Sequence, residues 1–134
     1  MKTFFTQAFT LARVSNIPTV WTNALAAWVI NSTSSPTLKI IPEISDLHFF
    51  NWPTLAFLLL GSSLIYAGGC TLNDAFDQKF DQEHNPQRPI PSNSITPRTV
   101  WILGICELII GMAILTQGAK CNIVWVLALV GTVV

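Results

Sequence analysis

Charge is what this sequence has least of. Of its 134 residues only 10% are charged, against about 25% in soluble domains. Seven basic residues balance seven acidic ones, for a formal net charge of +0. There is no basic surplus to hold a nucleic acid, so nothing suggests that class of partner. Cysteine is scarce as well. Cys70, Cys106 and Cys121 are odd in number, lack metal-ligand spacing and lie within or beside apolar runs. They read as small packed residues, not as a disulfide framework. What fills the chain instead is apolar: 51% hydrophobic residues and a mean hydropathy of +0.51. That balance points to an integral membrane protein with the lipid bilayer as its first partner.

A membrane span needs about 20 mostly apolar residues. Four segments come near it, roughly Val14–Ile30, Phe49–Asn73, Thr99–Ala119 and Cys121–Val134. The first is short and carries Asn16 and Asn23, as a helix packed against others does. The third follows Thr96-Pro97, a start signal with threonine as N-cap and proline in the first turn. The fourth is still apolar at Val134. The expected fold is therefore all-α, a multi-span transmembrane bundle in one domain over residues 1–134, and the chain is expected to be a fragment or a truncated protein. Segment one is not expected to be a cleaved signal: further spans follow, and NSTSSPT is a weak cleavage candidate.

Basic residues set the direction of insertion. Lys2, Arg13, Lys79, Arg88 and Arg98 fall on one side of the expected spans, and Lys39 and Lys120 on the other. The N-terminus and the loop after segment two are thus expected to be cytoplasmic. Trp21, Trp28, Trp52, Trp101 and Trp125 lie mostly near span ends, where interface anchors belong.

The acids gather in NDAFDQKFDQEHNPQRPIP, residues 73–91, directly behind segment two. Continued as a helix at about 100° per residue, this stretch places Asn73, Asp74, Asp77 and Asp81 within an arc of roughly 100°. Phe76 and Phe80 lie beside that arc, and Pro86, Pro89 and Pro91 end the helix in a stiff loop. Acids at such spacings repel one another in an isolated helix, and the low dielectric at a membrane boundary worsens the repulsion. A cation removes the penalty. Hard oxygen donors suit Mg²⁺, which leaves places for phosphate oxygens, and Arg88 is placed to clamp a phosphate with its planar fork. A calcium loop of the EF-hand type is disfavoured by the wrong acid spacing and the missing central glycine. A solvated acidic loop without a ligand is the plainer alternative.

NDAFDQKFD fits the N-D-x-x-D-x-x-x-D motif of the UbiA-type intramembrane prenyltransferases, and QRPIPSNSIT resembles the segment that follows it. ARVSNIPTVWTNALAAW resembles that family's first helix, with an arginine and an asparagine ahead of a span. SNIPTVWTN together with NPQRPIPS is most similar to the branch called EboC-like. The resemblance implies an all-helical bundle of about nine spans, about four of them in this chain. It implies transfer of a prenyl group from a prenyl diphosphate to a lipophilic acceptor, with Mg²⁺ as cofactor. Asp74, Asp77 and Asp81 would then be catalytic, with Asn73 beside them as metal ligands. Lys79 and Arg88 would bind the diphosphate, and Asn16 would face the cavity.

Departures from the pattern matter. The second basic residue expected before the Arg-Pro pair is replaced by EHNPQ, where His84 is the available substitute. The usual glycine after the proline pair is Asn93, which tolerates the left-handed turn. A second aspartate-rich motif is absent from the 134 residues. Catalysis by this chain alone would thus need self-association or a second chain. The competing expectations are a non-catalytic relative that binds or moves a prenyl lipid, and an inactive truncated product. Tyr66, Phe76 and Phe80 are candidates to face a carbocation, with plain packing as the alternative. Glu107, inside segment three, is either a polar group of the cavity or a hydrogen-bonded packing residue.

Overall fold

The computed structural model describes residues 4–32 and 51–133. Every regular element among them is helical, in agreement with the all-α expectation. The elements are α1 (Phe4–Leu11), a 3₁₀ turn (Val14–Asn16), α2 (Ile17–Ser32), α3 (Trp52–Phe76), α4 (Gln78–His84), α5 (Pro97–Ala113) continued by a π-helical turn (Ile114–Gly118), and α6 (Ile123–Val133). Lys2, Lys39, Phe49 and Val134, each used in the sequence reading, lie outside the described residues.

Two helical stretches are long and apolar enough to cross a bilayer, Trp52–Phe76 and Pro97–Gly118. At about 1.5 Å per residue both exceed the roughly 30 Å hydrocarbon core. The other two expected spans are shorter helices: α2 has 16 residues and α6 has 11. α2 begins later than expected because the 3₁₀ turn at Val14–Asn16 precedes it. α1 has no counterpart in the sequence reading.

α3 and α5 form the central antiparallel pair, and glycine sets their distance. Gly61 lies opposite Gly111, and Gly68 opposite Gly104. A Cβ placed on Gly68 would sit 2.9 Å from the Gly104 carbonyl oxygen, and one on Gly111 would sit 3.0 Å from that of Gly61. Leu115, Leu108, Leu72 and Ile65 fill the space beside these glycines. The seven-residue spacing returns each glycine to nearly the same face after two turns. Close backbone approach through small residues is a general route to helix association in lipid, where burial of apolar surface gives no net drive. Near the Gly68–Gly104 pair, the buried Thr71 hydroxyl donates to Glu107 Oε2 at 3.1 Å. This hydrogen bond ties Glu107 of α5 to α3.

α2 runs antiparallel to α3 along the other side. Asn16 Nδ2 donates to the Tyr66 hydroxyl at 3.1 Å, Trp21 Nε1 donates to Ser63 Oγ at 2.8 Å, and Trp28 packs on Trp52 with ring centroids 6.2 Å apart. Two buried clusters hold the assembly. Ile65, Leu72, Leu108, Leu115 and Val126 join α3, α5 and α6. Leu11, Ala75, Ile90, Ile95 and Val100 join α1, the end of α3, the proline loop and the start of α5. The second cluster lies under the acidic stretch.

Candidate functional site

The site begins where α3 ends. Asp77 has φ −78° and ψ 4°, a shallow break, and its N–H still donates to the Asn73 carbonyl at 2.9 Å. α4 then carries the chain one further segment to His84. The expected helix through the acids is present with this one kink. The loop after it turns tightly: Ser92 N–H donates to the Arg88 carbonyl, and Ser94 and Ile95 N–H both donate to the Pro89 carbonyl. Asn93 has φ 55°, the left-handed conformation expected of it in place of glycine. Thr96 Oγ1 accepts from the Thr99 N–H at 3.3 Å, so the expected N-cap of α5 is also in place.

The four oxygen-bearing residues do not act as one face. Asp74 and Asp81 are buried, at 7% and 2% exposure, while Asn73 and Asp77 are exposed. The reason is helical arithmetic. Seven residues nearly complete two turns, so Asp74 and Asp81 share one stripe, and Asn73 and Asp77, four apart, share the next. On the exposed stripe, Asn73 Nδ2 donates to Asp77 Oδ2 at 3.0 Å. On the buried stripe, Arg88 Nη1 lies 2.7 Å from Asp81 Oδ2 and 3.3 Å from Asp74 Oδ1. Asn85 Nδ2 donates to the other Asp81 oxygen at 3.0 Å. Burial alone would lower the pKa of the Arg88 guanidinium, but the Asp81 hydrogen bond and the charges of Asp74, Asp81 and Asp77 raise it above its ordinary value. Arg88 is thus a fixed positive charge.

A second arginine completes the cluster. Arg13 Nη2 lies 3.3 Å from the same Asp74 Oδ1, across 61 positions of sequence. Arg13 has φ 46° and ψ 48°, a left-handed conformation that costs a side-chain-bearing residue roughly 1–2 kcal/mol. It sits at the corner between α1 and the 3₁₀ turn, where Asn16 N–H donates to its carbonyl at 2.9 Å. The corner opens into a groove of about 440 Å³ lined by Thr6, Phe9, Thr10, Arg13, Val14, Ser15 and Asn16. The sequence reading used Arg13 for orientation and within the first-helix resemblance, but did not assign it to the site. The signal available was a basic residue one helical turn ahead of Asn16, with no acid near it in the chain to pair with.

The remaining predicted residues are placed as follows. Arg88 is in the cluster, and Asn16 lines the groove beside Arg13. Lys79 is exposed on α4, while Arg13 and Arg88 form ion pairs at this end. His84 stacks on Phe80 with centroids 4.2 Å apart, and its Nδ1 is 3.1 Å from the Phe80 carbonyl oxygen. Phe76 meets Trp101 edge-on at 4.7 Å. Tyr66 is held by Asn16.

Mg²⁺ can be tested against the donors present. No group of three or more His, Cys, Asp or Glu side chains is gathered for a metal among the described residues. Mg²⁺ nevertheless needs only one or two carboxylates beside phosphate oxygens and water. The exposed Asn73–Asp77 pair offers a hard, solvent-open oxygen set of that kind. The donor chemistry fits; the buried pair is already matched to arginine.

The described residues form a helical bundle with two membrane-length apolar helices, closed at one end by carboxylates paired with arginines. Residues 44–134 match the UbiA prenyltransferase family. The chain belongs to that membrane-embedded family. It is 30% identical over 107 residues to the 4-hydroxybenzoate octaprenyltransferase of Polaromonas sp., covering 77% of this chain and 36% of the relative. It is 38% identical over 68 residues to the digeranylgeranylglyceryl phosphate synthase of Methanothrix thermoacetophila, covering 51% and 25%. It is 34% identical over 64 residues to the protoheme IX farnesyltransferase of Alkalihalophilus pseudofirmus, covering 46% and 20%. The chain therefore spans about a third or less of the length of these relatives. No solved structure is significantly similar to it.

Proposed function

We propose that this chain carries the acidic, diphosphate-gripping part of a prenyltransferase, which passes a prenyl group from a prenyl diphosphate to a lipophilic acceptor. One observation carries the reading: Asp74 and Asp81 are buried against Arg13 and Arg88 at the end of a membrane-length helix. Such a place meets the head of an amphiphile whose tail lies in the bilayer. The names of the three relatives differ in prenyl group and acceptor. The reading therefore stands at the level of the reaction class.

The chemistry follows from the groups. The allylic C–O bond breaks with its electron pair leaving on the diphosphate. The nucleophilic atom of the acceptor takes the carbocation and then loses a proton. Arg13 and Arg88 supply planar forks for the phosphate oxygens and stabilise the charge that grows on them. Asn73 and Asp77 would hold Mg²⁺, with Asp74 and Asp81 beside them. The ion supplies Lewis-acid stabilisation of the leaving diphosphate. Asn16 and Tyr66 orient the groove edge through their hydrogen bond. The apolar helices exclude water from the cation.

The protein is multi-pass in this reading, with its N-terminus and acidic loop cytoplasmic. Arg13, Lys79, Arg88 and Arg98 cluster at one end of the antiparallel bundle and Lys120 lies after α5 at the other, as the positive-inside rule requires. The 134-residue chain binds prenyl diphosphate but does not turn it over, because it holds one aspartate-rich motif and the resemblance implies two. The test is radiolabelled prenyl transfer in membranes that contain this chain. No turnover is expected; turnover lost in Asp77→Ala would show that the chain is an enzyme by itself.

A further inference from the structure

The carboxylates of this site are more buried than the arginines that neutralise them. The side chains of Asp74 and Asp81 are 10% and 3% exposed, those of Arg13 and Arg88 42% and 35%. Asp74 Oδ1 receives both guanidinium groups, and Arg88 bridges Asp74 to Asp81. An incoming ligand therefore meets the arginines first. Each guanidinium has five N–H donors, so it has hydrogen-bonding capacity beyond the contacts to Asp74 and Asp81.

The order of events follows from electrostatics. A divalent cation arriving alone finds Asp74 and Asp81 already matched, and to bind them it must displace two fixed positive charges. An anion arriving at the arginines draws them outward. Two carboxylates are then left without a positive partner at a low-dielectric boundary, which is unfavourable until a cation replaces the lost charge. Anion and cation thus favour each other through the same four side chains. Thermodynamics makes that coupling reciprocal.

We propose that Arg13 and Arg88 are built-in counterions that keep Asp74 and Asp81 closed to divalent cations until a diphosphate draws them off, so that the two ligands bind cooperatively. The inference rests on the diphosphate reading given above and adds its regulation: the buried pair, Asp74 and Asp81, does not take up metal alone. The recognised chemistry is the diphosphate group, carried by free pyrophosphate or by a prenyl diphosphate.

The experiment uses the full 134-residue chain in nanodiscs, with Mn²⁺ binding read by electron paramagnetic resonance in the absence of any phosphate. Arg88→Gln and Arg13→Gln should each raise Mn²⁺ affinity about tenfold, within the usual range of coupling between sites. Arg98→Gln, the same change of charge at the same end of the bundle, should change it less than about threefold. In a metal-free arm with EDTA, Arg88→Gln and Arg13→Gln should weaken binding of both inorganic pyrophosphate and geranyl diphosphate. Additional affinity of wild type for geranyl diphosphate over pyrophosphate measures the contribution of the tail. If Arg88→Gln does not fold, Arg13→Gln decides the matter alone. Diphosphate binding intact in wild type, with the two site variants no different from Arg98→Gln toward Mn²⁺, would overturn the latch and leave the function standing. Absence of any divalent-dependent diphosphate binding by wild type would overturn the function itself.

Discussion

At the scale of single residues, the two stripes of the acidic stretch should respond differently to substitution. Asp81 is 2% exposed and holds both Arg88 and Asn85. Asp81→Ala leaves those partners unmatched and should cost about 1–3 kcal/mol of stability, read as a lower thermal midpoint in detergent. Asp77 is exposed, and Asp77→Asn should stay within about 0.5 kcal/mol of wild type in the same measurement. Asn93 offers a test of the loop. Its φ of 55° suits glycine, so Asn93→Gly should be nearly neutral, while Asn93→Val should cost roughly 1–3 kcal/mol. Much of this was legible in the sequence because it is local. The Thr96 cap, the left-handed Asn93 and the helical run of acids are each set by neighbours within a few positions. The pairing of Arg13 with Asp74 was not legible, because no local period links residues 61 positions apart. Nor did the 100° arc reveal which acids would be buried; that depends on where α1 and the proline loop pack.

At the scale of elements, the α3–α5 pair depends on close approach. Gly104→Leu forces a side chain toward Leu72 and the Gly68 carbonyl, and Gly68→Leu toward Leu108 and the Gly104 carbonyl. Each should destabilise the bundle by about 1–3 kcal/mol in a detergent unfolding titration, by overpacking. Gly131→Ala, with nothing within 4 Å of its added carbon, is the matched control and should be silent. The heptad spacing of these glycines was present in the sequence, but spacing alone does not say which helix each face meets. α1 escaped the sequence reading because a helix of eight residues offers too few turns for a period to show. Its Leu11, fully buried against Ala75, Ile90, Ile95 and Val100, gains its order from tertiary contact. The π-helical turn at Ile114–Gly118 likewise follows from packing: Gly118 lies against the Phe57 ring as the chain turns toward α6.

At the scale of the whole molecule, orientation and ligand binding are the properties to measure. A single cysteine placed at Gln87, in a chain freed of its own three cysteines, should react with a membrane-impermeant maleimide from the cytoplasmic face only. Labelling from the opposite face would reverse the orientation derived from Arg13, Lys79, Arg88 and Arg98. The all-α class was legible from composition and apolar runs because a bilayer admits few alternatives for a chain so poor in charge. Span lengths were less so, since the first and fourth apolar runs form helices of 16 and 11 described residues. The most direct measurement is the affinity of the purified chain in nanodiscs for geranyl diphosphate, with Mg²⁺ and with EDTA. Binding should be about tenfold or more tighter with Mg²⁺ than with EDTA, and Asp77→Asn should lose that gain, as a metal site does when even a supporting group is removed. Equal affinity in Mg²⁺ and EDTA, unchanged in Asp77→Asn, would contradict the assignment of the acidic stretch to a metal-held diphosphate.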